Sequence, residues 1–279
     1  MSRNSPEHVD SVVTDPRLVE ERRGQIVRAA VKLFSEEGYY TTTIQQIARE
    51  AGVSTGLIYQ YFKDKDDVLF LTLKLVLETY EHEIPPRLEG IEHPVERLCM
   101  ALWAYCSIVD GLREATVLAY RSTKTLRADR RALVKADETR TNRLIEACLR
   151  ACVGGGYMST VNEHLLAYQY VMFAHAWALK HWAFHGRYSL GKYVAEGVRL
   201  LIEPFLTAKG RTVLSGMRRR TGDFTQDIRA GAGPVAGVGA ARRRPGQTEA
   251  ETLFRLRSKV AWRSPRSAGH RSMPSTRNG

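Results

Sequence analysis

Ser54-Thr55-Gly56, followed one helical turn after Thr55 by Tyr59, brings together two hydroxyls, a residue without a side chain and a phenol at the start of one short helical segment. Small hydrogen-bonding groups at a helix N-terminus suit the edges of DNA bases in the major groove, where a bulky first turn would hold the helix off. Gly56 is a poor helix former, costing about 1 kcal/mol relative to Ala; a surface that comes too close for a side chain explains its place. Ser54 as a helix cap alone, and Tyr59 as a packing residue, are the competing readings. Thr42 and Thr43, at the start of the preceding helix, and Tyr61 and Lys65, at the end of the short one, stand where hydroxyls and a cation can hold phosphate oxygens.

A second set of chemical groups lies farther along. His164, Tyr168, Val171, His175, Ala178 and Trp182 recur at helical steps, and other aromatic residues on the same segment turn to other faces. A helix apolar on most sides is buried on most sides. Tyr105, Tyr120, Arg121, Tyr168 and His175 are the polar candidates for a small-molecule pocket, with Trp103 and Trp182 as its walls. His181 and His185 are four apart, but no acidic or thiol partner has metal-binding spacing, so no metal site is expected. Cys148 and Cys152, also four apart, read as buried structural thiols. There is no GxSxG, no HExxH and no phosphate-binding loop, so neither catalysis nor a cofactor is expected.

The elements that position these groups are helical throughout. Asp15 as N-cap and Pro16 at the first helical position open a helix with Ile26, Ala29, Ala30, Leu33 and Phe34 on one face, and Gly38 stops it. Ile44, Ile47 and Ala48 form a second, short apolar face, and Ala51-Gly52-Val53 joins it to a third helix at about 55–61, a helix-turn-helix. Asp64 opens a longer helix that should stop at Pro85-Pro86. Further helices are expected at about 94–109, 112–122, 126–152, 161–185 and 190–206. The predicted architecture is all-α: a mobile arm over 1–15, a helix-turn-helix domain over 16–70, a larger helical bundle over 71–208, and a disordered Arg-rich tail over 209–279 that holds at most a short helix around 249–260.

Composition sets the outer bounds. The chain has 279 residues, 43% of them hydrophobic, and a formal net charge of +12, which excludes a wholly disordered chain. From Lys209 onward there are 16 Lys and Arg against 4 acids, so the whole net charge falls in the tail and residues 1–208 are neutral. Four cysteines within apolar helical patterns suit a reducing cytoplasm. No apolar leader and no run approaching about 18 uncharged residues is present, so neither export nor a membrane span is expected.

Residues 20–70 resemble the DNA-binding domain of the TetR family of transcriptional regulators. The matching residues are Ala29-Ala30, Leu33-Phe34, Gly38, Thr43, Ile47-Ala48, Ala51-Gly52-Val53-Ser54, Gly56, Tyr59, Tyr61-Phe62, Lys65 and Leu69. The resemblance implies Thr43, Tyr61 and Lys65 as phosphate contacts and Thr55, Gly56 and Tyr59 as groove contacts. It also implies that residues 71–208 are the ligand-binding and dimerisation bundle of a dimeric repressor of a palindromic double-stranded operator, released by a small-molecule inducer. The segments 119–126, 175–182 and 186–190 resemble, less specifically, members that control fatty-acid and acyl-CoA catabolism, which implies an acyl-CoA or similar apolar inducer. An architectural nucleic-acid binder driven by the basic tail is the alternative, and a helical enzyme the weaker one.

Overall fold

The computed structural model describes residues 9–221. The readings made for residues 1–8 and 222–279, including the helix around 249–260, lie outside the described residues. Within them the chain is helical: α1 (Pro16–Glu36), α2 (Ile44–Ala51), α3 (Thr55–Tyr61), α4 (Lys65–Leu88), α5 (Pro94–Gly111), α6 (Arg113–Ser122), α7 (Ala128–Gly154), α8 (Glu163–Leu179), α9 (His181–Phe184), α10 (Leu190–Leu201) and α11 (Ala208–Thr221). No strand occurs among the described residues, and no helix there is long and apolar enough to cross a membrane.

Helices α1 to α3 form the N-terminal unit. The Asp15 side chain accepts from the N–H groups of Arg17 and Leu18, with Pro16 beside it. Gly52 ends α2 in the left-handed conformation at φ +66°, where a side chain would be strained, so the chain can reverse into Ser54 within two residues. Ile26, Ala30, Phe34, Ile47, Ile58 and Phe62 close the core of this unit. Helix α4 leaves it and enters the bundle, and every residue from Asp67 to Leu73 is buried because both bodies pack around that stretch. Helices α5, α7 and α8 pack on one another, α5 and α7 also pack on α4, and α6 lies between α1 and α8.

Four boundaries differ from the sequence reading. Helix α4 continues through Pro85 and Pro86 to Leu88; the prolines forgo the N–H bonds to the carbonyls of residues 81 and 82, and the helix ends two residues later. The arm is anchored before Pro16: Val9 is buried, Arg23 donates to the carbonyls of Val9 and Asp10, and the Val12 N–H donates to the Gln60 carbonyl at 2.8 Å. Helix α8 ends at Leu179, and α9 begins afresh at His181. The bundle does not end at residue 208, because α11 packs on α5 and buries Leu214 and Met217. The arginines of this segment hid an amphipathic helix: Leu214 and Met217 are three apart on one face.

If α11 belongs to the fold, Leu214→Ala should cost about 2 kcal/mol or more, as other buried leucine truncations do. For a domain of this size that is a fall in Tm of about 4–8 °C. Thermal denaturation followed by circular dichroism checks it; an unchanged Tm would return residues from 209 onward to the tail.

Candidate nucleic-acid interface and ligand site

The short helix α3 turns Gly56 and Tyr59 to solvent and leaves Thr55 half-buried. Ser54 caps it, accepting from the Leu57 N–H at 3.1 Å, so its hydroxyl proton remains available to a further acceptor. Gly56 is exposed, and a Cβ built there would meet only Ser54 Oγ, at 4.0 Å. The protein interior therefore does not require a glycine at this position. Thr55 is half-buried, and Tyr59 is 52% exposed with its ring in solvent.

The phosphate set is rearranged. Tyr61 is 2% exposed and belongs to the core, since it follows Ile58 by three residues on the inner face. Thr42 is buried too, its hydroxyl donating to the Gly38 carbonyl at 2.8 Å, so it closes the α1–α2 turn and does not reach outward. Lys65 reaches inward: its Nζ donates at 2.7 Å to the carbonyls of both Tyr39 and Thr42 and lies 4.5 Å from the Tyr39 ring centre. Burial holds its pKa below the ordinary lysine value. Thr43 is exposed, but its hydroxyl and N–H are committed to a reciprocal cap with Gln46, whose amide donates to Glu37 at 2.7 Å. What α2 offers outward is its first-turn N–H groups, which have no acceptor within a helix. Sequence reasoning missed Gln46, although Thr43 and Gln46 form a legible capping pair, and Tyr40, which is 80% exposed beside that turn.

The predicted ligand residues divide. Tyr105, Tyr120 and His175 come together, joined by Tyr80 of α4. Tyr80 and Tyr105 stack with ring centres 4.3 Å apart. His175 Nδ1 lies 2.8 Å from the Tyr120 hydroxyl, and its Nε2 lies 3.4 Å from that of Tyr80. Burial lowers the His175 pKa to about 4, so the ring is neutral, with one nitrogen donating and the other accepting. Burial likewise raises the Tyr120 hydroxyl to about 12 and pushes Tyr80 and Tyr105 above their ordinary value. Glu138 on α7, raised by its own burial, acts electrostatically on all three tyrosines.

Asn142, one turn beyond Glu138, is buried with neither its amide nitrogen nor its amide oxygen hydrogen-bonded. Buried polar groups left without a partner cost about 1–3 kcal/mol each and call for an explanation.

The remaining predicted residues stand elsewhere. Trp182 is 81% exposed, because α8 ends before it and the helical spacing that pointed it inward is lost. Tyr168 packs edge-on against His164, away from the cluster. Trp103 is half-buried against the core. Arg121 opens onto a different space, a cleft of about 700 Å³ between α1 and α6 that Arg28, Lys32, Arg113 and His181 also line. Three of the predicted ligand residues thus sit in one cluster and four do not. No group of three or more metal-ligating side chains is found among the described residues. All four cysteines are unpaired and buried.

Comparison with known proteins places this arrangement. The model of the bacterial regulatory proteins of the tetR family matches residues 26–71. The HTH-type transcriptional regulator HbdR of Aromatoleum sp. (strain CIB) is 70% identical over 219 residues, which is 78% of this chain and 96% of that protein. AibR in complex with isovaleryl coenzyme A and operator DNA superposes with a TM-score of 0.59 at 22% identity, over 66% of this chain and all of the other. The regulator PfmR of Thermus thermophilus superposes at 0.58 and 23%, over 63% and 96%. At those identities the two structures show the fold alone, but the family model and a relative matched over nearly its whole length show more: the chain belongs to the TetR family, and it is a helix-turn-helix transcriptional regulator, not an enzyme.

Proposed function

We propose that the protein is a ligand-responsive repressor that binds a palindromic double-stranded operator as a homodimer and leaves it when an acyl thioester occupies the bundle. The observation that carries this reading is one helix, α4, which begins four residues after the exposed face of α3 ends and carries Tyr80 into the cluster of Tyr105, Tyr120 and His175. On this reading Thr55, Gly56 and Tyr59, with the Ser54 hydroxyl, meet base edges. Tyr40 and the α2 N-terminus at Thr43 meet phosphates.

One helix of seven residues spans too few base pairs for an operator to stand out, so two copies are needed. Leu165 and Met172 on α8 and Leu200 on α10 are exposed large apolar residues, which supports those two helices as the pairing surface.

The choice of thioester follows from charge. The cluster of Tyr80, Tyr105, Tyr120 and His175 contains no cation, and Glu138 acts on it. A free carboxylate entering there would lose its water, find no positive partner and face a second carboxylate. A thioester carbonyl accepts a hydrogen bond from tyrosine or Asn142 while the charged part of the molecule stays in solvent. The isovaleryl coenzyme A bound to AibR, which shares the fold, supports this class. Such an effector is met in the bacterial cytoplasm, where we place the protein's action.

Two outcomes test the reading. Gly56→Leu should abolish binding to an operator obtained by selection from random duplexes, with an unchanged circular dichroism spectrum, and Tyr59→Ala should weaken it by about 1–3 kcal/mol. Normal binding by the Gly56 variant would place DNA elsewhere. Separately, isovaleryl-CoA and octanoyl-CoA should raise Tm and displace the operator at saturating concentration, about 2.7 kcal/mol of stabilisation at a hundred times Kd, whereas the free acids and coenzyme A should do neither. Asn142→Leu should keep operator affinity and lose the response to thioesters. Equal release by the free acids would overturn the charge argument.

A further inference from the structure

The turn that follows α3, Lys63-Asp64-Lys65-Asp66-Asp67, carries three carboxylates within four residues, and each meets an arginine from the start of α7. Arg127 lies 3.2 Å from Asp64 and 3.6 Å from Asp66. Arg130 lies 3.3 Å from Asp66, pairs with Asp67, and stacks over the Phe70 ring at 4.9 Å. Arg130 and Asp67 are both buried. Asp67 also accepts the Lys63 N–H at 2.7 Å, and Asp64 caps α4 by accepting the Asp67 N–H at 2.8 Å. The carboxylates thus set the backbone of the turn as well as pairing with α7. From the same turn Lys65 holds the α1–α2 turn through the carbonyls of Tyr39 and Thr42.

A buried ion pair is weak evidence for stability, since well-packed apolar side chains of similar volume often do as well; what it adds is one defined geometry, at the cost of desolvation. Here the geometry defined is the exit of the recognition helix relative to α7, the helix that carries Glu138 and Asn142. We propose that Arg127 and Arg130 are positioning residues for operator binding: they clasp the Asp64–Asp67 turn to α7 and thereby set the placement of α3 that DNA meets. This deepens the reading of α3 as the recognition helix and rests on it. Neither arginine touches DNA in this account, and neither touches the ligand.

The test turns on the sign of a charge change. In the full-length chain, Asp66→Asn removes a negative charge near the DNA face, which by field alone would strengthen binding to any duplex. The clasp requires the reverse for operator: both Asp66→Asn and Arg127→Gln should lower operator affinity about tenfold, and the double variant should lose less than the product of the two singles, because both break the Arg127–Asp66 pair while each also breaks one pair of its own, Arg127 with Asp64 and Asp66 with Arg130. For Arg127→Gln, affinity for a random duplex should fall far less than operator affinity, by no more than the field of one distant charge, and the salt slope should change by much less than 1. Fluorescence anisotropy over a salt series measures all of this, with circular dichroism showing each variant folded. Arg127 is about half-exposed, so its replacement leaves no buried charge group in place of a core residue.

Loss of random-duplex affinity by Arg127→Gln in equal measure, with the salt slope reduced by about 1, would make Arg127 a phosphate contact and overturn the proposal. So would tighter operator binding by Asp66→Asn, or unchanged binding by both singles. Gly56→Leu run alongside separates the two readings: if it still binds operator, the reading of α3 fails, and if it does not while the clasp variants bind normally, the clasp alone fails.

Discussion

The seven-residue length of α3, the helix proposed to read DNA, is the constraint on which the rest of the molecule depends. Isolated helices shorter than about 12–15 residues are marginal in water, so α3 cannot hold its own shape and its surroundings must do so. Ser54 satisfies the Leu57 N–H at one end. At the other end, the Tyr61 carbonyl accepts from Nε and Nη2 of the buried Arg23 at 3.2 and 3.1 Å. Ile58 and Tyr61 anchor the inner face, and the arm lies along the Gln60 carbonyl. Only Thr55, Gly56, Tyr59 and Gln60 are left outward. A reading surface made this way is stiff, and each support from another segment is also a route by which that segment can shift it.

Much of this was legible from periodicity and punctuation. Asp15-Pro16, Gly52, Ser54 and Asp64 mark helix ends by the chemistry of caps, and each does so in the structure. What escaped was the fate of residues of one type that stand side by side. Tyr59 and Tyr61 are two apart, about 200° around a helix, so one meets solvent and the other the core. Thr42 and Thr43 part in the same way at a turn. Lys65 has no periodicity to consult, because its partners are backbone carbonyls some twenty-five residues away, beyond any local pattern. Trp182 was read on a helix that stops three residues earlier.

The bundle interior shows a different limit. Glu138, Asn142, Ile145, Leu149 and Cys152 fall at helical spacing on one face of α7, so the inward direction of Asn142 was available from the sequence. Its lack of a partner was not, because that depends on which groups α4, α5 and α8 bring opposite. Tyr80 is a similar case: nothing in the sequence of α4 distinguishes it from the apolar positions around it, and only the approach of α8 makes its hydroxyl a neighbour of His175. A site assembled from α4, α5, α6 and α8 has no local signature, whereas a site built on one short helix has almost nothing else.

On the proposed reading the two sites share α4, and this decides how they can influence one another. Tyr80 follows Lys65 by fifteen residues, about 22 Å along the axis, and the stretch between contains no glycine or proline at which the helix would bend. On that reading a displacement of Tyr80 would be carried along α4 as a rigid rod, past the buried stretch from Asp67 to Leu73. A ligand can drive that displacement only through contacts it makes better in one position than in the other. Hundredfold release of operator needs about 2.7 kcal/mol of such difference. Satisfying the amide nitrogen and oxygen of Asn142 is of that size, at about 1–3 kcal/mol for each buried group left unpaired. Thermodynamic linkage then requires the converse: operator DNA, by holding α3 and through it the start of α4, must weaken the ligand by the same factor.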